Sequence, residues 1–334
     1  MTSAERVELH SQEQSGASPK PAKSPAELGT PPNAPAPKPG MTPGERINQR
    51  NGILFCLPWL IGMSVFLIYP LISALWYSLC DYSVLLPPVF IGLDNYIDLF
   101  QDALFWKSLW NTSYYAVGAV TLGVIMSMTL AVLLNSKVKG LAFYRTVFFL
   151  PSLMPVVAGS ILWMWMYNGE SGIINTALAG IGIKGPSWLA DPNWSKIAII
   201  IMAVWGAGHS MVIFLAGLQD VPNAIYEAAI IDGANWTQRL FNVTIPMISP
   251  VIYFNVIMGI IGGFQVFTQA LIMTDATGSP ERSTLFYVLQ LYNVGFQDLR
   301  MGYASAMAWV LFAIILALTF VATKLSKRWV TYDR

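Results

Sequence analysis

The stretch Asp220–Pro250, DVPNAIYEAAIIDGANWTQRLFNVTIPMISP, lies between two long apolar runs and decides how the rest of the chain is read. It mixes helix punctuation, charge and small residues more densely than any other internal segment between such runs. Pro222 suits a first helical turn, Asp220 or Asn223 can cap the amides exposed there, and Gly233 can close the turn in a left-handed conformation. This predicts a helix of about ten residues. Ile225, Ala228, Ala229 and Asp232 follow at i, i+3, i+4 and i+7, so two alanines offer a shallow surface that another protein's backbone can approach closely. Glu227 stands beside that surface as an acceptor for an arginine fork. A second helical piece is expected from Asn235 as cap, with Trp236 and Phe241 bracing the loop and Leu240 between them, until Pro246 and Pro250 interrupt it.

The surrounding chain has 334 residues, 55% hydrophobic and only 11% charged, which is too apolar for a soluble globular domain and places it in a lipid membrane. A net charge of +1 and the lack of any basic patch interleaved with aromatics give no reason to expect a nucleic acid partner. Cys56 and Cys80 flank one apolar run, and 24 intervening helical steps rise ~36 Å, so they cannot bridge each other. Residues 1–45, with nine prolines from Pro19 to Pro43 among Ala, Ser and Lys, are expected to be a disordered tail rather than a secretory signal.

Six apolar runs follow, at about 53–79, 112–134, 146–167, 197–218, 247–272 and 304–323. Each is near the ~20 residues that a spanning helix needs. Lys and Arg in the connections orient them. With the amino terminus inside, the inner flanks hold Arg46, Arg50, Lys137, Lys139, Arg145, Arg239, Lys324, Lys327, Arg328 and Arg334. The outer flanks hold Lys107, Lys184, Lys196, Arg282 and Arg300, so the count of ten against five favours both termini, and the Glu227 loop, in the cytoplasm.

The interiors of the runs hold no Asp, Glu, Lys or Arg, whereas ion-coupled carriers and voltage sensors need ionisable groups at membrane depth. Inverted repeats with broken, glycine-interrupted helices are not evident. No phosphate-binding loop, zinc-protease motif or nucleophile elbow is present, and the only histidines are His10 and His209. The chain therefore reads as neither an enzyme nor a holder of metal or cofactor. Its intramembrane polar residues are neutral. On the fifth run Asn255, Gly259, Gly262, Gln265 and Gln269 form one stripe at helical spacing; packing suits the glycines, while for the amides packing and solute lining both stay open. On the fourth run Trp205 and His209 share a face beside Ser210, an aromatic ring next to polar donors, as in sites that hold sugars. Trp163, Trp165 and Tyr167 read as an interfacial aromatic belt.

Glu227-Ala228-Ala229, then Gly233 after three intervening residues, then Val243, Ile245 and Pro246, resembles the EAA loop of permease subunits of ATP-binding-cassette importers. The simpler alternative, a helix lying on lipid headgroups, usually shows a basic face, whereas this one is acidic and alanine-lined. FIGLDNYIDLF (Phe90–Phe100) and the segment with Gly278-Ser279-Pro280, Tyr292 and GYASA (Gly302–Ala306) are similar to segments of the carbohydrate-uptake branch, although Ser279 replaces a common glycine. The resemblance covers roughly residues 50–330. It implies an all-α polytopic membrane protein, a six-helix type I permease bundle over 46–334 with a short cytoplasmic coupling helix in the loop 220–246. It also implies a second, similar permease, two cytoplasmic ATPase subunits that bind ATP and Mg, and an external solute-binding protein. A sugar is the expected solute. Another polar solute such as a glycerol phosphate is the nearest alternative, and a carrier independent of any ATPase is more remote.

Overall fold

The structure is a computed structural model that describes residues 43–136 and 139–330. The chain divides into a unit that ends at Met63 and one that starts at Ser64. In the first unit the described part is α1 (Pro43–Met63), so the expected tail lies outside the described residues except for its last three positions, which are helical. Pro43 at the helix start costs no hydrogen bond, because the first amides of a helix lack intrahelical acceptors.

In the second unit a π-helical turn (Ser64–Ile68) precedes α2 (Tyr69–Ser78), the antiparallel strands β1 (Cys80–Ser83) and β2 (Leu86–Phe90), α3 (Asp94–Gln101) and the long α4 (Ala103–Leu134). Next come α5 (Leu141–Phe149), α6 (Val156–Met166), α7 (Ile173–Gly180), α8 (Pro192–Trp205) and α9 (Gly208–Gln219). The loop elements are α10 (Asn223–Ile231), α11 (Trp236–Arg239) and α12 (Ile245–Met247); α13 (Ser249–Phe264), α14 (Thr268–Met273), α15 (Tyr287–Tyr292) and α16 (Met301–Ser326) complete the chain.

Among the described residues, three helical stretches are long and apolar enough to cross a membrane unbroken: Asn48–Ser78, α4 and α16. Three more crossings require bent pairs, Leu141–Leu153 with α6 at 100°, α8 with α9 at 46°, and Trp236–Met247 with α13 at 67°. The six runs thus correspond to six crossings by length and composition, but the expectation of unbroken helices fails for three of them. Each break has a local cause. Met154 precedes Pro155 and takes the extended conformation that a following proline imposes (φ −72, ψ 130). Gly206 and Ala207 separate α8 from α9, and Pro250 in the first turn of α13 sets its start after Ile248.

A break leaves backbone groups unpaired where no water is available. A serine hydroxyl adds a bond at each one here: Ser152 Oγ donates to Phe149 O (2.6 Å), Ser127 Oγ of α4 to Ala207 O (3.0 Å), which also accepts from Met211 N (3.0 Å), and Ser249 Oγ to Pro246 O (2.7 Å).

Helix α4 is the hub, packed against α8, α9 and α13. Gly259 lets α13 approach it closely, since an added Cβ would lie 3.0 Å from Val120 Cγ1. Away from the 220–246 loop the connections are tied to the bundle. Asn111 Nδ2 donates to Arg282 O (2.8 Å) and Leu285 O (3.1 Å), Lys196 Nζ donates to Asn111 Oδ1 (3.2 Å), and Tyr287 N donates to Thr112 Oγ1 (2.8 Å). Trp163 and Tyr167, expected at a lipid interface, are only 6% and 2% exposed and pack in the core, leaving Trp165 alone (70%) to face outward.

Candidate coupling loop and translocation cavity

Helix α10 is bounded on both sides by backbone chemistry. Pro222 occupies its N-cap position with extended geometry and no side-chain cap, while Asp220 ends the preceding α9. Asn223, expected as a possible cap, instead lies inside the helix as its first residue. At the other end Asp232 is the C-cap and Gly233 takes φ +77. Gly233 N donates to Ile230 O (3.0 Å) and Ala234 N to Ala229 O (2.9 Å), the paired bonds of a Schellman motif. The next helix begins at once with a capping box: Gln238 N donates to Asn235 Oδ1 (2.9 Å), and Asn235 N donates to Gln238 Oε1 (2.8 Å). Pro246 is accommodated after a π-helical turn, Leu240–Thr244.

Glu227, Ala228, Asp232 and Gly233 are exposed, whereas Ile225 and Ala229 are half-buried, so the four-residue stripe expected from spacing divides between two sides. The outward surface is Ala224, Glu227, Ala228 and Ile231, the last 85% exposed. Trp236 (61%) and Phe241 (59%) are also exposed, so neither is the buried brace expected of them. The brace is Tyr226, a residue that sequence reasoning passed over. Its ring joins the apolar cluster of Phe214, Leu218 and Ile248, and its hydroxyl meets Thr244 Oγ1 at 3.1 Å. Beside it a cavity of 510 Å³ opens between α4, α9 and the loop, lined by Val132, Leu218, Tyr226, Trp236 and Arg239 among others.

The intramembrane candidates come together only in part. Trp205, His209 and Gln269 line one cavity of 310 Å³ with Pro151, Ser152, Met154 and Pro155. Two of the helix breaks thus open onto it, and sequence spacing gave no sign that the Met154–Pro155 break would. Asn255 instead lines a neighbouring cavity of 240 Å³ with Ser210 and Ser127, and its Nδ2 donates to Val251 O (2.9 Å). Gln265 lies exposed at the C-cap of α13. The expected stripe from Asn255 to Gln269 is broken because α13 ends at Phe264 and Phe267 turns the chain (φ −146, ψ −63) before α14. Trp205 meets Trp163 edge to face at 5.6 Å, so its ring is oriented from the core.

The description "Binding-protein-dependent transport system inner membrane component" matches residues 119–331. A probable ABC transporter permease protein, YesP, of Bacillus subtilis is 40% identical over 285 residues, covering 84% of this chain and 92% of that protein. The lactose transport system permease protein LacF of Rhizobium radiobacter is 37% identical over 282 residues, covering 83% and 94%. A crystal structure of a bacterial alginate ABC transporter, in complex with its alginate pentasaccharide-bound periplasmic protein, contains a chain of the same fold (TM-score 0.74, 24% identity, 85% of this chain and 96% of that one). The chain is thus a multi-pass permease component rather than an enzyme, and it belongs to the family of binding-protein-dependent transport system inner membrane components.

Proposed function

We propose that this permease forms half of the pathway for a sugar or oligosaccharide and is driven through α10 by a separate cytoplasmic ATPase. One observation carries the solute class: two helix breaks open onto a neutral cavity where an indole ring, an imidazole and an amide, from Trp205, His209 and Gln269, stand together. A ring can cover the C–H face of a sugar while the polar groups meet its hydroxyls. A phosphorylated solute such as a glycerol phosphate calls for lysines or arginines along the route, and neither lines this cavity. Lactose in the name of one related system supports the same class, while sn-glycerol-3-phosphate in the name of another marks the alternative.

Trp205, His209 and Gln265 are exposed on a single chain at membrane depth, where lipid is a poor neighbour for an amide. A second, similar permease covers them and completes the pathway. One of two ATPase subunits, holding ATP and Mg, docks on the Ala224, Glu227, Ala228 and Ile231 surface, with Glu227 meeting a basic side chain, and both termini lie on that side. Closure of the ATPase pair pulls α10 and rocks the crossings from inward- to outward-facing; an external solute-binding protein delivers the sugar. Glu227→Lys is expected to insert at the wild-type level, yet lose uptake in proteoliposomes while ATP hydrolysis continues uncoupled. Normal uptake by this variant would overturn the docking, and uptake of a glycerol phosphate but no sugar would overturn the solute class.

A further inference from the structure

An apolar surface that the cavity and loop leave unused lies between the first and second crossings. From Cys80 to Gly92 the sequence CDYSVLLPPVFIG carries one charge, Asp81. Its strands pair Cys80 with Phe90 and Asp81 with Val89, and every residue of β2 is exposed, as are Val84 and Leu85. An exposed apolar strand in water invites pairing with another strand. Pro87 and Pro88 have no N–H, so this strand offers few donors to such a partner. Hydrocarbon asks for none.

Helix α3 continues the surface. Its Asn95 and Leu99 are buried; Leu93, Ile97 and Phe100 form an exposed apolar side; Asp94, Asp98 and Gln101 form an exposed polar side. A helix with one face to the core, one apolar and one polar sits at a boundary between lipid and water. Aromatic rings mark the same level. Trp76 in the last turns of the first crossing stacks on Phe90 at 5.7 Å, and Trp106 Nε1 at the start of α4 donates to Phe100 O (2.9 Å).

The hairpin cannot swing away from this position. Ile91 N donates to Leu79 O (3.0 Å), Asn95 Nδ2 donates to Ser78 O (3.0 Å) and Cys80 O (2.9 Å), and Gly302 of α16 packs so closely that an added Cβ would meet Cys80 O. Its packing partners, α2 and α16, are not the elements that carry Trp205, His209 and Gln265.

We propose that the β1–β2 hairpin and the Leu93, Ile97 and Phe100 side of α3 form a shoulder embedded in lipid, seated at the headgroup boundary of the leaflet where the first crossing ends. The surface adjoins the exposed side of α2, where Trp76 stacks on Phe90, and Asp94 and Asp98 mark its water edge.

The test uses the assembled transporter in lipid nanodiscs with a Cys56→Ser background. Cys80 stays unlabelled because it is buried and burial pushes its thiol pKa up. Nitroxides at Leu86→Cys and Phe90→Cys are expected to be reached by oxygen in preference to a water-soluble nickel chelate, at a depth of about 5–10 Å, with the reverse preference at Asp98→Cys. In the unsubstituted transporter, a photoreactive lipid probe is expected to label residues 84–90. Nickel access at Leu86 and Phe90 equal to that at Asp98 would overturn the proposal, as would exclusion of both reagents by a covering protein. So would labelling of α16 by the lipid probe without labelling of the hairpin.

Discussion

Gly233 separates two explanations of how the coupling loop works. Its φ of +77 costs a residue with a Cβ roughly 1–2 kcal/mol, and that conformation alone allows the Ile230 and Ala229 carbonyls to be closed by the amides after them. A Cβ built at this position meets no atom of the chain within 4 Å, so Gly233→Ala acts through backbone conformation and not through an internal clash. That cost corresponds to about 5–30-fold more frequent opening of the helix end. Asparagine tolerates the left-handed region better than alanine, although it is larger. If rigidity transmits the displacement, uptake per ATP hydrolysed falls in the order Gly, Asn, Ala, and amide exchange over residues 233–234 rises in the same order. Both quantities are measurable in proteoliposomes and by mass spectrometry. Should Asn impair coupling more than Ala, bulk at the docking surface, and not helix rigidity, governs transmission, and the reasoning from the Schellman motif is refuted.

Tyr226→Phe removes the hydroxyl contact with Thr244 but keeps the ring in its cluster, so a loss of about 0.5–1.5 kcal/mol is expected, visible as looser coupling at an unchanged level in the membrane. Ser127→Ala removes one of the two bonds to the Ala207 carbonyl at the α8–α9 break, which Met211 N still pairs (3.0 Å), and a thermal denaturation of the purified transporter is expected to show a destabilisation of about 0.5–1.5 kcal/mol. Burial raises the Tyr287 phenol above its ordinary value of 10.0, so the folded state keeps a proton that the unfolded state releases. Stability from this residue is therefore complete below pH 10.0 and is lost as pH rises beyond it, and Tyr287→Phe is expected to flatten that alkaline decline in a pH series of melting curves.

What the sequence disclosed is local chemistry. Gly233 at a helix end and Asn235 before the next helix are legible because a left-handed glycine and a cap with Gln238 three residues on are properties of a few consecutive residues. Tyr226 was not legible as the brace, since its partner Thr244 lies 18 residues away. Nothing in a run of Ile, Tyr and Glu says which side chain turns inward. Trp163 and Tyr167 have the composition of a lipid interface, and only the tertiary packing with Trp188 and Ile199 shows that they belong to the core. The fifth run hid its interruption because Val266 and Phe267 keep the hydrophobicity of a helix while Phe267 leaves helical geometry. Pro155 and Pro250 were visible as breakers, but an apolar window averages over them.

The distribution of stiffness follows from where backbone groups find partners. In the loop the C-terminal end of α10 is closed by the backbone itself and the start of α11 by one reciprocal side-chain pair, so the piece moves as a unit. In the crossings each break carries one serine hydroxyl bond beside the backbone pairing that remains, and at the α8–α9 break that serine comes from a different helix, α4. A single hydroxyl bond can be exchanged for another at a net change of about 1 kcal/mol, whereas unfolding a capped helix forfeits several bonds at once. Force applied at the loop is therefore expressed at the breaks, and two of these border the cavity lined by Trp205, His209 and Gln269. A stiff lever joined to hinged crossings lets a small displacement outside the membrane change the shape of the uncharged space within it.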